Sequence, residues 1–452
     1  MKFRQFLSSL PVIFALANPV QAETLADVLA DGYQNSGLLE QNRALLRAAD
    51  EDVAQSIAAL RPIVNWSANY TWRDSGIASV GADPVSANLE ISADLLLYDG
   101  GASEYRTEAA KALVLQTRQD LLGIEQDVLL RIITAYMNVE RNSQFVDLRK
   151  SNVRLIDEEL RAARDRFEVG EITRTDVSLA EARQAAAQSA LAAAEGALAQ
   201  SLEEFQAAVG RRPENLEIVS PAPVERSLEE ARAFALRNHH SIKSAQQSVM
   251  AAELTIRSTE ASLRPSLSFR ASASITSGGN ASQRVGLSVS GPIYRGGQLE
   301  SAIRQAVAGR DASRASLLVV GRSVEQNVGN AYAQLRVAQS SRQASQLQIR
   351  AAETALNGVR EEAMLGARTT LDVLNAEQEF LDARANAISA QADEVIASYQ
   401  VLAAMGILTA AHLNLSVPTY DPSAYYNLIR NAPSTYSDQG RALSRVLQSI
   451  GN

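Results

Sequence analysis

The side chains best placed to do chemistry lie in two similar segments, one in each half of the chain. Thr173 precedes Asp176 by three residues in the first segment, and Thr369 precedes Asp372 by three residues in the second. This spacing is typical of a helix start, where each side chain bonds to the backbone of the other residue. An acid in the first turn also suits the helix dipole. The pattern predicts helix caps and is compatible with a second role for the same aspartates.

Metal binding and catalysis find little support in the sequence. His239 and His240 are adjacent, so on a helix they would not face one site, and Ser36 and Gly37 occupy the equivalent positions in the first half. The chain has three histidines and no cysteine, which leaves few zinc ligands. It has no Ser/His/Asp arrangement, phosphate loop or dinucleotide fingerprint. We therefore predict no enzyme activity, no metal site and no cofactor.

The two segments belong to a unit that occurs twice. Residues 98–210 align with 294–406 without a gap, and residues 23–62 align with 226–265. A repeat of about 200 residues is too long for a solenoid and indicates two pseudo-symmetric halves of one object.

This organisation divides the chain into four parts, each with its own expected role. We expect a signal peptide over 1–22, a first repeat over 23–225, a second repeat over 226–413 and a polar, partly irregular tail over 414–452. Each repeat should contain a helix, two strands and a long helical hairpin.

Composition limits where the chain works and what it binds. The N-terminus has basic residues, an apolar run and the small-residue site Val20-Gln21-Ala22, as in a secretory signal. The absence of cysteine excludes disulfides and a lipidated N-terminal cysteine. The net charge of −8 argues against a nucleic-acid partner.

Long helices should carry the two polar segments. No proline occurs from Ala102 to Val169, and apolar residues recur every seven positions from Ile132 to Phe167. Such a repeat predicts a left-handed coiled coil. Gly170 and Gly366 stand where a helix end favours a left-handed residue, so each long helix should turn there into an antiparallel partner.

Four segments alternate between apolar and polar residues, as transmembrane β-strands do. They cover residues 63–72, 88–97, 266–275 and 285–290, and in each the apolar residues fall on one face. Period-two alternation over about ten residues, apolar toward lipid and polar toward a lumen, is typical of membrane β-barrels. The alternative is a half-buried strand in a soluble sheet. The predicted lipid-facing residues are Trp66, Tyr70, Leu89, Ile91, Phe269 and Leu287.

Four strands cannot form a closed barrel by themselves. Even a filled barrel needs about eight strands, and open strand edges are not tolerated in lipid. The chain should therefore oligomerise, with two copies giving eight strands and three copies giving twelve.

These features together resemble the TolC family of outer-membrane channel proteins. The resemblance covers nearly all of residues 23–413 and includes the Tyr-x-Gly-Gly strand exits at 98–101 and 294–297. Its most specific motif is Gly-x-Arg-Thr-Thr-Leu-Asp-Val-Leu at 366–374. The resemblance implies a mainly α fold with a membrane β part. Three protomers would form a twelve-stranded β-barrel continuous with a twelve-helix coiled-coil tunnel.

The resemblance also implies roles for residues at the tips of the helical hairpins. A periplasmic gate would include Asp176, Arg368, Asp372 and Asn375. Val169, Gly170, Leu365 and Gly366 match tip segments that contact the adaptor protein. Two positions depart from the pattern of the best-known member, with Asn375 in place of an acid and Ala363 in place of a tyrosine. These departures imply fewer or different closing contacts.

Two functions follow from these observations. By resemblance, the chain is the outer-membrane exit duct of a tripartite export system and conducts small molecules or unfolded polypeptides passively. Its partners would be two further copies, a periplasmic adaptor, an inner-membrane pump and outer-membrane lipid. The alternative is a periplasmic coiled-coil structural or adaptor protein without a pore. The alternating strands favour the duct, because a soluble adaptor needs no lipid-facing strands.

Overall fold

The computed structural model describes residues 23–72, 85–418, 420–431, 434 and 436–450. The predicted signal peptide and the loop over 73–84 that joins the first two strands lie outside these residues. None of the described helices is both long and apolar enough to cross a bilayer.

Both copies of the repeat contain the same elements in the same order. In the first copy they are α1 (Leu25–Asn35), α2 (Gly37–Ala58), β1 (Ile63–Trp72), β2 (Val85–Tyr98), α3 (Ala102–Glu168) and α4 (Arg174–Val209). In the second copy they are α5 (Leu228–Asn238), α6 (His240–Ala261), β3 (Ser266–Thr276), β4 (Ala281–Ser290), α7 (Gln298–Met364) and α8 (Thr370–Ala404). The predicted mainly α fold with a small β part, built from a repeated strand and helix hairpin, is confirmed.

The strands form one antiparallel sheet in the order β1-β2-β3-β4. Pairing of β2 with β3 joins the two copies, and its register places Leu95 opposite Phe269 and Asp94 opposite Arg270. In the flanking pairs, Trp66 lies opposite Ile91 and Phe269 opposite Leu287. Because residues opposite each other share a face, most apolar residues of the four strands lie on one side of the sheet; Ile63, opposite Asp94, and Leu96, opposite Ser268, lie on the other.

A pair of left-handed glycines connects each strand hairpin to a long helix. Gly100 and Gly101 have φ values of 71° and 90°, and Gly296 and Gly297 have values of 59° and 82°. A side chain at Gly100 would not fit, because its Cβ would lie 2.7 Å from the Cβ of Arg264. The occurrence of a Gly-Gly pair in both copies is therefore explained by backbone conformation and, at Gly100, by close packing.

The main core lies around the middle of the long helices, at the level that we call the equator. Tyr136 of α3 is fully buried, and its hydroxyl donates to the carbonyl oxygens of Glu23 and Glu217. Its counterpart in the second copy, Tyr332, donates to the carbonyl of Arg226 at 2.8 Å. The repeated tyrosine thus ties each long helix to the chain segment that begins or ends a repeat.

The C-terminal tail, predicted to be polar and partly irregular, includes helical segments. It contains two helices, α9 (Ala424–Ile429) and α10 (Asp438–Ile450). The guanidinium of Arg43 lies 4.8 Å from the ring centre of Tyr420, and that of Arg118 lies 5.5 Å from Tyr426. Stacking of arginines on tyrosines, with burial of Ile429, attaches the tail to α2 and α3.

Candidate functional site: the tips of the helical hairpins

The two hairpins end in tips of the same geometry. The α3–α4 turn passes through Gly170 with φ of 79°, and the α7–α8 turn passes through Gly366 with φ of 77°. Glu171 N donates to the Arg166 carbonyl at 2.9 Å, and Ala367 N donates to the Glu362 carbonyl at the same distance. These bonds close the helix ends, so the predicted left-handed turns are confirmed.

Both tip aspartates form the predicted helix caps. Asp176 Oδ2 accepts from the backbone N and the hydroxyl of Thr173 at 2.9 and 2.7 Å. Asp372 Oδ2 accepts from the same groups of Thr369 at 2.9 and 2.8 Å. Hydrogen bonds from the threonine hydroxyl and backbone lower the pKa of the Asp176 carboxyl. The Thr369 backbone and hydroxyl lower the pKa of the Asp372 carboxyl, so both groups are anionic at neutral pH.

Arg368 is paired within its own tip in the single chain. Its Nε donates to Glu362 Oε2 at 2.7 Å, and both side chains are about half exposed. The sequence did not suggest Glu362, because the two residues lie on opposite sides of a turn and share no helical spacing. An exposed pair of this kind is weakly held and can exchange partners.

Asn375 connects the two hairpins of one chain. Its side-chain oxygen accepts from Arg183 of α4 at 3.1 Å. Beside this bond, Ile156, Ala187 and Leu374 form a small buried apolar cluster. Arg183 was missed from the sequence because it lies 192 residues from Asn375, and only the fold brings them together.

A repeated ion pair lies one to two turns from each tip, but its burial differs between the copies. Arg164 and Glu181 approach within 2.9 Å and are each about half exposed. The equivalent Arg360 and Glu377 approach within 2.5 Å, and the Glu377 side chain is only 2% exposed. Burial raises the pKa of Glu377, and nearby Glu159 raises it further, while Arg360 opposes the shift. The second hairpin thus holds a buried carboxylate where the first has a solvated one.

The outermost tip residues present apolar side chains to solvent. Val169 is 72% exposed and Leu365 is 85% exposed. Together with Gly170 and Gly366 they form two small apolar knobs, each backed by a charged or polar helix start. This arrangement suits contact with another protein.

The predicted lipid-facing side chains share one side of the sheet, and five of the six are exposed. Trp66 and Tyr70 are 75% and 73% exposed, and Leu287 is 68% exposed. Leu89 and Ile91 are also exposed, whereas Phe269 is half-buried. On the opposite face, Arg270 Nε lies 2.7 Å from Asp94 Oδ1.

The two adjacent histidines have structural roles. His239 caps α6 by accepting from Ser241 N at 3.2 Å, and His240 Nε2 lies 3.2 Å from Gln126 Oε1. Burial lowers the pKa of each ring to about 4, so both are neutral at pH 7. The His240 ring packs on Gly123, where an added Cβ would lie only 2.8 Å away. In the part of the chain that the structure describes, no three His, Cys, Asp or Glu residues are grouped to hold a metal ion.

Comparison with known proteins identifies the family. The sequence model of the family described as "Outer membrane efflux protein" matches residues 29–211 and 233–407. The chain belongs to this family. It is 34% identical over 420 residues to the outer membrane efflux protein BepC of Brucella suis, covering 91% of each chain. It is 26% identical to the outer membrane protein TolC of Vibrio cholerae, covering 87% of this chain and 93% of that one.

A solved structure supports the fold of this family member. The Campylobacter jejuni CmeC outer membrane channel superposes with a TM-score of 0.76 at 14% identity, covering 91% of this chain and 90% of that one. The family places the protein in the outer membrane, extending into the periplasm. Its family and its structural neighbours are channel or transport proteins.

Proposed function

We propose that this protein is the outer-membrane exit duct of a tripartite export system and that it has no enzymatic activity. It would conduct solutes passively across the periplasm and the outer membrane. The observation that carries the proposal is the register of the sheet. It gathers most apolar residues of the four strands on one face and the Asp94–Arg270 pair on the other, as expected between lipid and a watery lumen.

We further propose that three chains assemble into the duct. In one chain, β1 and β4 lie at the edges of the sheet, and their outer backbone groups need partners in lipid. Pairing β4 of one chain with β1 of the next would satisfy them. Three copies would then give the twelve-stranded barrel and the twelve-helix tunnel.

The tips are proposed to form the periplasmic gate and the docking site for an adaptor. Asp176, Arg368, Asp372 and Asn375 would hold the mouth closed, and we add Arg183 because it binds Asn375. Arg368 would exchange its exposed partner Glu362 for Asp176 of a neighbouring hairpin. The exposed residues Val169, Gly170, Leu365 and Gly366 would contact the adaptor, which links the duct to an inner-membrane pump.

Small-molecule efflux is favoured as the transported class because BepC is named as an efflux protein. Secretion of unfolded polypeptides through the same duct is the second candidate. A periplasmic coiled-coil protein without a pore is a less suitable interpretation, because exposed Trp66, Tyr70 and Leu287 would then face water.

Reconstitution into planar lipid bilayers tests the proposal. Purified protein should insert from detergent and produce discrete conductance steps, and outer-membrane fractions should contain heat-modifiable oligomers. Protein that stays soluble without detergent and never conducts would support the pore-free alternative. Loss of the gene should sensitise cells to exported small molecules if efflux is the function, and should block release of a secreted polypeptide otherwise.

A further inference from the structure

The C-terminal tail runs along α2 from the equator to the end of the β-sheet where strands meet helices. Ala410 N is held by Glu125 at 2.7 Å, and Tyr420 then stacks on Arg43. Tyr425 donates to Glu51 at 2.6 Å. From Arg43 to its end at Ala58, α2 rises by about 23 Å, and the tail runs beside it.

This path ends directly below the first strand. Arg61 donates to the carbonyl of Asn431, and β1 begins two residues later at Ile63. The equivalent arginine of the second copy, Arg264, donates to the Gly100 carbonyl at 2.9 Å, just after β2 ends. Asn431 therefore lies at the level where strands meet helices, which is the periplasmic boundary of the lipid in the proposed duct.

The last helix starts at this level and is amphipathic. Gln439 donates to the Leu428 carbonyl at 3.0 Å, which fixes the start of α10 to the end of α9. Leu443 and Leu447 lie one turn apart on one face, and Leu447 is 43% exposed. Arg441 and Arg445 lie on the other face and are exposed. Tyr436, just before the helix, is 89% exposed.

We propose that α10 lies on the periplasmic surface of the outer membrane, with its leucine face in the lipid. Two observations select lipid over another occupant: the level of the helix, fixed by the bond of Gln439 to Leu428, and its residue types. Helices that lie in the membrane plane combine a leucine face with an arginine face, and tyrosines favour the level of the headgroups. The inference rests on the proposed duct, because only that function places lipid at this level.

Site-directed spin labelling tests the inference on the full-length protein in phospholipid nanodiscs. The chain has no cysteine, so Leu447→Cys, Gln448→Cys and Leu287→Cys each give one label. For each label, the collision rate with oxygen, which concentrates in lipid, is compared with the collision rate with a water-soluble nickel complex. We expect the oxygen-to-nickel ratio at 447 to be several-fold higher than at 448 and to approach that at 287.

Any other result contradicts either the proposed position of α10 or the proposed duct. Equal, nickel-dominated ratios at 447 and 448 would place the helix in water. A label at 447 shielded from both reagents would place a neighbouring protein chain over the leucine face. If 287 has the lipid signature and 447 lacks it, only the role of α10 fails. If 287 also lacks it, the duct itself fails.

Discussion

Two ion pairs occur in both copies of the repeat but have different surroundings, which makes each copy a control for the other. Near the equator, Glu253 and Arg314 form an exposed pair at 2.7 Å. The equivalent Asp50 is fully buried, lies 3.9 Å from Arg118, and neither of its oxygens has a hydrogen-bond partner among the described residues. The C-terminal tail lies over the first of these pairs, because Tyr426 stacks on Arg118 at 5.5 Å, whereas the second pair is exposed.

Asp50 should make stability depend on pH. Burial raises its pKa to about 6, although Arg118 opposes the shift. Because the folded chain binds the proton more tightly than the unfolded one, stability is highest below the unfolded pKa and falls as pH rises through 6. Between pH 5 and 7.5 the loss should be about 1–2 kcal/mol. Asp50→Asn should remove this loss, whereas Asn in place of exposed Asp52 should not. Equal pH dependence of thermal unfolding in the wild type and Asp50→Asn would contradict the assignment.

The buried tip pair should be worth more than the exposed one. Arg360→Ala leaves Glu377 buried without its cation and should cost about 1–3 kcal/mol. Arg164→Ala, the matched change in the first copy, should cost under about 1 kcal/mol because that pair is solvated. Urea unfolding of the two variants measures the difference. Similar losses in both would mean that burial of Glu377 has no energetic consequence.

The gate proposal is separable from the capping role of the same aspartates. Asp176→Ser combined with Arg368→Ala should raise bilayer conductance, because charge-assisted contacts that close the mouth are lost. Asp27→Ser removes an equivalent cap, formed with Thr24 at the start of α1, far from the tips. It should cost about 0.5–2 kcal/mol and leave conductance unchanged. A tip variant that behaves like Asp27→Ser would reduce the tip residues to caps.

At the level of elements, the two faces of the sheet should tolerate charge very differently. Arginine at Ile91, on the apolar face, should destabilise the assembled protein by about 2–4 kcal/mol. Arginine at the next residue, Ser92, points to the polar face and should be tolerated. Folding of each variant into lipid vesicles, followed in urea, measures both. Equal tolerance at 91 and 92 would rule out membrane strands.

Elements with a strong period were predictable from the sequence, and contacts between them were not. The seven-residue repeat and the absence of proline identified α3 to within one residue of its end at Glu168. Alternation identified the strands, and the Thr-x-x-Asp spacing identified both caps. No local sequence pattern indicates the hydrogen bond between Arg183 and Asn375 or the pairing of β2 with β3. The contacts of the tail carry no local signal either, because its tyrosines stack on arginines of distant helices.

At the level of the whole molecule, the open sheet edges predict the assembly. Cross-linking of purified protein in detergent should stop at three chains, because three sheets of four strands close one barrel. Substituting proline at the middle of β4 should block pairing with the next chain, whereas proline in place of Ser434, which is exposed, should not. A cross-linking ladder that ends at two chains, or continues to six without a trimer, would rule out the twelve-stranded duct.

The helices α3 and α7 have the same length, 67 residues each, and this gives the protein a fixed length along them. At about 1.5 Å per residue, each helix spans about 100 Å, and a helix cannot be stretched to suit its surroundings. The number of residues in α3 and α7 therefore sets the distance between the tips and the outer membrane. Deleting one heptad from each helix of both coiled coils would preserve the packing of their apolar faces. It would bring the tips about 10 Å closer to the outer membrane. A partner anchored in the inner membrane would then have to be longer by the same distance to contact the tips.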